Sequence, residues 1–260
     1  MENTDELEII TCHSQAIEML FKYLKEAIPS TNVSIRNLAN GNCLKINNIN
    51  LSKTLLVNVK LDGHNFDKFI CNQEKLDLGI DFDLFYSKIK NRNGLLTLKV
   101  KHDCKDSLHI FVDEEHTMNI EKMHLSDFPD NAIQIPQIQF DVIVTMDSHA
   151  FHKLCNEMEN VSNYMNFECL NDKIIFTCDG VDLNKQIIFK ATNNLISINH
   201  SHGNPVTGMF ELKDLLLLSR LTSLCNTIEI YMKDDFPLCI KYNVVNLGVM
   251  HTFFCPIKTN

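Results

Sequence analysis

The side chains best suited to chemistry by type and spacing lie in "SHAFHKLC" (148–155), where His149, His152 and Cys155 recur at i, i+3 and i+6. Imidazole and thiolate are the usual zinc ligands, so this run raises the prospect of a small metal-dependent enzyme using His149 and His152. On a helix, residues i and i+6 diverge by about 120°. Cys155 instead continues an apolar stripe with Phe151, Leu154 and Met158, and the spacing favours packing over coordination. Asp234 and Asp235 could pose as paired carboxylates, but they precede "FPL" at a turn, where acidic residues are common. No GxxxxGK[ST] phosphate cradle, GxGxxG fingerprint or GxSxG elbow occurs. The expectation is a protein with no catalytic residues, no cofactor and no metal.

Basic side chains offer a different chemistry. Lys22 and Lys25 lie opposite the apolar stripe of one helical run. Lys88 and Lys90, with Arg92 beyond them, lie on a second run, Lys153 on a third, and Lys213 and Arg220 on a fourth. Each alone is an ordinary solvated residue. Together they put a basic position on all four helix candidates of a chain whose net charge is −9. Lined up, they would form a basic stripe on an acidic body, attracting phosphates without reading bases.

The elements that must carry these residues follow from periodicity. "SQAIEMLFKYLKEAI" places Ile17, Leu20, Leu24 and Ile28 on one helical face and stops at Pro29. "DFDLFYSKIK" turns Phe82, Phe85 and Ile89 inward, with Asp81 as its cap. "NVSIRN", "CLKINNI", "TLLVNVKL", "LLTLKV" and "SLHIFV" read as strands. The second half repeats the order, with helices at "DSHAFHKLCNEME" and "FELKDLLLLSRL" among strands such as "KIIFTC", "KQIIFKA", "PLCIKYNV" and "VMHTFFC". This is the pattern of an internal duplication. The expected division is a domain over 1–118, a connector over 119–137 broken by prolines, and a domain over 138–260. No run reaches the roughly 18 apolar residues of a membrane helix, and the acidic start has no signal-peptide architecture. The ten cysteines are dispersed without a CxxC, which favours reduced, buried thiols in a cytosolic or nuclear protein.

The C-terminal run "LLLLSRLTSLCNTIEIYMKDDFPLCIKYNVVNLGVMHTFFCPIK" resembles the end of the proliferating cell nuclear antigen family, the eukaryotic and viral DNA sliding clamps, in Pro237, Leu238, Tyr242, Gly248, Phe253 and Pro256. "CNQEKLDLGIDFDLFYSKIK" resembles that family in Cys71, Leu78, Gly79, Ser87 and Lys90, and "IQIPQIQFDVIV" in Ile135, Pro136 and Phe140. The resemblance implies an α+β, duplicated two-domain DNA-clamp fold, with helices lining a central channel and antiparallel sheets outside. It implies a homotrimeric ring that encircles double-stranded DNA non-specifically. The implied partners are DNA polymerase, other clamp-binding-motif proteins of replication and DNA repair, and a clamp loader, with no membrane. The place would be the nucleus or a viral replication site. It directs Lys22, Lys25, Lys88, Lys90, Lys153, Lys213 and Arg220 toward DNA. It builds a partner pocket from Ile49, Ile133, Ile135, Pro136, Pro237, Phe253 and Cys255, with Phe253 where the family has tyrosine. Subunits would join by pairing "SLHIFV", through Leu108 and Ile110, with "KQIIFKA", through Ile187 and Ile188. Within the same fold, a subunit of a heterotrimeric checkpoint clamp is the competing expectation.

Overall fold

The computed structural model of the chain describes residues 5–39, 41–129, 133, 135, 138–191 and 196–257. Its first series of elements is β1 (Asp5–Thr11), α1 (Ser14–Ala27), β2 (Ser30–Leu38), β3 (Gly41–Ile49), β4 (Leu55–Asp62), β5 (Lys68–Cys71), β6 (Lys75–Asp81), α2 (Phe82–Ile89), β7 (Leu95–Lys101), β8 (Cys104–Asp113) and β9 (Met118–His124). The second is β10 (Val142–Asp147), α3 (Ser148–Met158), β11 (Tyr164–Cys169), β12 (Lys173–Asp179), β13 (Asn184–Lys190), β14 (Ile196–His200), β15 (Val206–Glu211), α4 (Leu212–Ser219), β16 (Thr227–Met232), β17 (Leu238–Val244) and β18 (Gly248–Phe254). Strand, helix, five strands, helix and three strands thus occur twice in one order.

The pairings repeat as well. Strand β1 pairs with β5 and β7, as β10 pairs with β14 and β16. Strand β2 pairs with β3 and β6, as β11 pairs with β12 and β15. All are antiparallel. Connectivity therefore carries the duplication that the sequence pattern implied, although few residues match.

The chain forms two compact units, one of Met1–Asn48, Val57–Ile133 and Asn243–Met250, the other of Ile49–Leu56, Gln134–Tyr242 and His251–Asn260. In the first, the sheet β5-β1-β7-β8-β9 and the run β6-β2-β3 share a core with α1 and α2. Ile17, Leu20, Leu24 and Ile28 are buried on α1, and Phe82, Phe85 and Ile89 on α2. Phe21 meets Phe82 edge-on at 5.2 Å between ring centroids and Phe85 at 4.4 Å, a geometry that adds to area burial. Asp81 Oδ1 accepts from Leu84 N at 2.9 Å, the helix cap expected from its position.

In the second unit, Asp147 Oδ1 caps α3 by accepting from Ala150 N at 2.8 Å. Phe151, Leu154, Cys155 and Met158 face inward as one buried stripe. Phe167 meets Phe176 at 4.9 Å and Phe210 at 5.4 Å, both edge-on. The burial of these rings and of the leucines of α4 removes enough apolar surface to dominate the stability of this unit.

Strand β1 has no counterpart in the sequence-based expectations. Leu7 and Ile9 point into the core, but Glu6 and Glu8 on its other face are nearly as buried, so apolar alternation does not stand out. Neighbouring strands supply the cations: Lys105 to Glu6 at 2.7 Å, Lys99 to Glu8 at 2.8 Å, with Lys68 also on Glu8 and His102 on Glu6. Bonds from Lys105, Gln73 and His102 hold the Glu6 carboxyl at about 2.

Two expectations are corrected. Strand β9 covers most of the first half of the stretch assigned to the connector: residues 118–124 pair with β8 along their length. Its inward positions are Asn119, Glu121 and Met123, while Met118 and Ile120 are 59% and 63% exposed, an inverted pattern that hides the strand. Consequently β8 is not an edge. It is flanked by β7 and β9, and Leu108 and Ile110 are each 1% exposed, so they cannot offer a free ladder to another copy. Strand β13 does lie at the edge of its sheet, with Ile188 45% exposed and Ile187 half-buried.

The chain beyond β9 is pinned to the first unit. Ser126 N donates to Gly79 O at 2.9 Å, Asn32 Nδ2 to Phe128 O at 3.0 Å, and Asn47 Nδ2 to Ile133 O at 2.7 Å. Gly79 is required for this approach, because a Cβ there would lie 1.7 Å from Ser126 O. We expect Gly79→Ala to cost about 1–3 kcal/mol, the usual penalty of overpacking. It should also speed proteolysis between 126 and 140. An unchanged urea midpoint with an unchanged cleavage rate would show that the connector is not held there.

Candidate functional site

The histidine and cysteine run does not converge. Cys155 is fully buried, and burial pushes its thiol up to about 12. His152 bridges helices: its Nδ1 lies 3.0 Å from Ser219 Oγ and its Nε2 3.0 Å from Asn156 Nδ2. His149 faces solvent. With both ring nitrogens of His152 engaged and the Cys155 thiol protonated, these two have structural surroundings, and no cluster of three or more metal-ligating side chains forms among the described residues.

The basic positions divide by their partners. In the first unit Lys25 is held by Asp83 at 2.8 Å and lies over the Tyr86 ring at 5.0 Å. Lys88 meets Glu121 of β9 at 3.3 Å. These two positive charges are largely spent inside the protein. Lys22 and Lys90 are exposed and make no ion pair among the described residues. In the second unit Lys153 is 81% exposed and only 4.0 Å from Glu157, which is taken by Lys185 at 2.9 Å. Lys213 and Arg220 are exposed, unpaired among the described residues, and line one shallow cavity of about 480 Å³ with Tyr164 and Asn163. The cations available to a phosphate chain are therefore Lys22, Lys90, Lys213 and Arg220, with Lys153 close behind.

The expected partner pocket draws on both units, and each part stands by itself. In the second unit the segment before β4 is organised by Asn50. Its Oδ1 accepts from Thr54 N at 2.9 Å and Leu55 N at 3.0 Å, and its Nδ2 donates to Thr54 Oγ1 at 3.1 Å. Lys53 takes a left-handed φ of 59° to make the turn. Cys255 N donates to Thr54 O at 2.8 Å and Cys255 Sγ to Lys53 O at 3.4 Å, which brings the end of β18 against this loop. Ile257 N donates to Met209 O at 2.8 Å and fixes Ile257 beside β15. The result is an apolar surface in which Ile49 is 37% exposed, Phe253 and Pro237 are half-buried and Cys255 is exposed. Leu51 and Phe236, in the same unit, are 93% and 39% exposed and were not singled out from sequence. Their signal was adjacency to Ile49 and Pro237 in runs that read as turns. Ile133 belongs to the first unit, where Asn47 holds its carbonyl. Ile135 is half-buried, and Pro136 lies outside the described residues.

Comparison with known proteins places these features in context. Residues 134–257 match the family model described as proliferating cell nuclear antigen, C-terminal domain. A probable DNA polymerase sliding clamp of Acanthamoeba polyphaga mimivirus is 31% identical over 208 residues, 78% of this chain but 44% of that protein; the chain thus spans less than half of that relative. Probable DNA polymerase sliding clamp 1 of Paramecium bursaria Chlorella virus 1 is 24% identical over 96% of both chains. Proliferating cell nuclear antigen of Chaetomium thermophilum is 23% identical over 79% of this chain and 82% of its own. The crystal structure of the Entamoeba histolytica antigen superposes with a TM-score of 0.86 at 20% identity, covering 98% of this chain and all of that one; at that identity the likeness is one of fold.

The Asn50 network makes its own claim. Asn50→Ala leaves Thr54 N and Leu55 N without their acceptor, at a cost of about 1–3 kcal/mol. Amide exchange at Thr54 and Cys255 should accelerate together, while that of α3 stays slow. Unchanged protection at both amides would mean that the loop is ordered by something other than Asn50.

Proposed function

We propose that this chain, a divergent relative of proliferating cell nuclear antigen and of the viral sliding clamps, is itself a DNA sliding clamp: a processivity factor that encircles duplex DNA, tethers a DNA polymerase and other replication or repair proteins, and catalyses nothing. It would act in a nucleus or at a viral replication site and be opened by a clamp loader.

The observation that carries the assembly is the state of two strand edges. Strand β18 is a neighbour of β4 in the sheet order, and Asp62 N donates to Leu247 O at 2.9 Å where they run together. In the repeat, β9 holds the place of β18 and β13 the place of β4. Both β9 and β13 are sheet edges, and both expose isoleucine, Ile120 and Ile188. An exposed apolar edge invites pairing. Joining β9 of one copy to β13 of the next would repeat the β18–β4 arrangement head to tail, and such a heterologous contact closes a ring when the rotation permits. This replaces β8 with β9 in the interface, while β13 with Ile187 and Ile188 keeps its assigned role.

The remaining parts of the proposal follow the geometry of each unit. Lys22, Lys90, Lys213, Arg220 and Lys153 would meet phosphates, with Lys25 and Lys88 contributing little because Asp83 and Glu121 already neutralise them. The surface of Ile49, Phe253, Pro237 and Cys255 would take the aromatic and aliphatic anchors of a partner's short helical turn, and the connector isoleucine Ile135 would add to it. Exposed apolar surface of this kind marks an interaction site.

Two experiments test this. Light scattering of the purified protein should give three times the 29.9 kDa chain mass. Proline at both Ile120 and Ile188 should reduce it to one chain, because proline cannot donate to a ladder. A trimer unchanged by the double substitution would overturn the edge assignment. A wild-type protein that stays a single chain at every concentration would overturn the homotrimer and favour a clamp built from different subunits.

Duplex affinity measured between about 50 and 200 mM salt should fall steeply, with each phosphate contact contributing about 0.9 to the logarithmic slope. Alanine at Lys22, Lys90, Lys213 and Arg220 should flatten that slope far more than alanine at Lys25 and Lys88. Equal effects from the two sets would contradict the division of charges.

A further inference from the structure

The second unit carries a shallow cavity of about 480 Å³ where β11 and β15 meet α4, within the range of ligand sites. We infer that it takes one unpaired nucleotide of single-stranded DNA whose base bears an exocyclic amine, cytosine first among them. The inference rests on the reading of Lys213 and Arg220 as phosphate contacts and goes beyond it, because a base stacked in a duplex offers the protein no free face.

The strand-to-helix turn builds the site. Leu212 N donates to Asn163 O at 2.9 Å, and Tyr164 lies opposite Glu211 in the ladder of β11 and β15. Tyr164 N donates to Ser162 Oγ at 3.3 Å. These bonds fix the backbone that carries the Tyr164 ring, which is 42% exposed and meets no other ring among the described residues. Lys213, Leu216 and Arg220 follow at i, i+3 and i+7, one face of a helix, and Arg220, the C-cap of α4, keeps a helical backbone. The two cations stand about 10.5 Å apart along the axis, with the buried Leu216 between them. An aromatic face beside an apolar floor flanked by cations suits a single strand: the base stacks, and the phosphates on either side of it meet the charges.

Carboxylates in the lining select the base. Glu159 and Glu211 border the same cavity, and neither pairs with Lys213 or Arg220 among the described residues. Glu211 holds the N-cap position of α4, yet its side chain makes no cap bond. A bare polyanion would be drawn by the cations and repelled by the carboxylates, and a cationic peptide the reverse. A nucleotide satisfies both sets when its base donates N–H groups, as the cytosine amine does to a carboxylate. Uracil has a carbonyl in place of that amine and would set an oxygen against the glutamates.

The probes are fluorescein-labelled ten-nucleotide oligomers of deoxycytidine and of deoxyuridine, which share backbone and ring size and differ in the pairing edge of the base. Labelled octalysine and unlabelled inorganic tripolyphosphate are the controls, and the protein is the full chain in its native assembly. Anisotropy should show the deoxycytidine oligomer bound about fivefold or more tighter than the deoxyuridine oligomer, the lower end of discrimination by a specific base contact. Tyr164→Leu should weaken deoxycytidine binding about fivefold or more, the loss of one stacked base, while Tyr164→Phe keeps it. Combined Glu159→Ala and Glu211→Ala should erase the preference between the oligomers and strengthen tripolyphosphate binding. An unchanged melting temperature will establish that each variant is folded, and the comparison of the two oligomers on the wild-type protein needs no variant. Duplex affinity is measured alongside: its absence would sink the clamp reading, whereas a duplex bound normally without discrimination between the oligomers sinks the pocket alone. Wild-type binding by Tyr164→Leu would also overturn it. So would displacement of the deoxycytidine oligomer by tripolyphosphate at matched charge concentration, which would make the cavity a general anion site, or saturable binding of octalysine there, which would make it a site for cationic peptides.

Discussion

A β-strand has two hydrogen-bonding edges, and every edge must be paired, covered or tolerated by solvent. Each repeat here distributes nine strands over the same pairing positions, and four of those positions have a single neighbour within the repeat. For β4 and β18 the missing neighbours are each other. Strands β9 and β13, at the corresponding places, are sheet edges among the described residues. The apolar residues on these strands follow the same logic: Ile120 and Ile188 are exposed where an unpartnered soluble edge would carry charge or proline. The edge condition thus links the connectivity of the repeats to the inverted pattern of β9.

Charge is arranged around that framework. On the outer face of β1, two buried glutamates are balanced by lysines from three other elements. They are tied to the fold by charge-assisted bonds rather than by apolar burial. On the helices the opposite outcome holds. Asp83 and Glu121 take up Lys25 and Lys88, so the positive field left to the exterior comes from fewer residues than the sequence displays. Glu121 lies on β9 itself, so one ion pair ties the edge strand to helix α2.

The connector is shaped by acceptors and donors more than by apolar contact. Gly79 admits the backbone of Ser126, and Asn32 and Asn47 supply side-chain amides to the carbonyls of Phe128 and Ile133. These bonds hold Ser126, Phe128 and Ile133, in a stretch with little periodicity, against the first unit. Asn50 does the same for the loop before β4, replacing the missing ladder with three bonds from one side chain. In both places asparagine, abundant in this chain, does the positioning that a longer strand would otherwise perform.

The sequence by itself determined what depends on near neighbours. The helices at 14–27, 82–89 and 148–158, the Asp81 cap, the stop at Pro29, the inward phenylalanines and the doubled order of elements all follow from 3.6- and two-residue periodicity and from local bonds. Tertiary structure decided what depends on remote partners. The strand at 118–124 shows its inward face as Asn119, Glu121 and Met123, so no alternation reveals it, and only its ladder with β8 makes it an edge. Glu6 and Glu8 look like a solvated terminus until Lys68, Lys99 and Lys105 arrive from elsewhere in the chain. The charge of Lys25 and Lys88, the hold of Asn47 on Ile133, and the exposure of Leu51 and Phe236 are likewise set by residues distant in sequence. Periodicity records which way a side chain points, but the partner it meets there is fixed only when the sheets close.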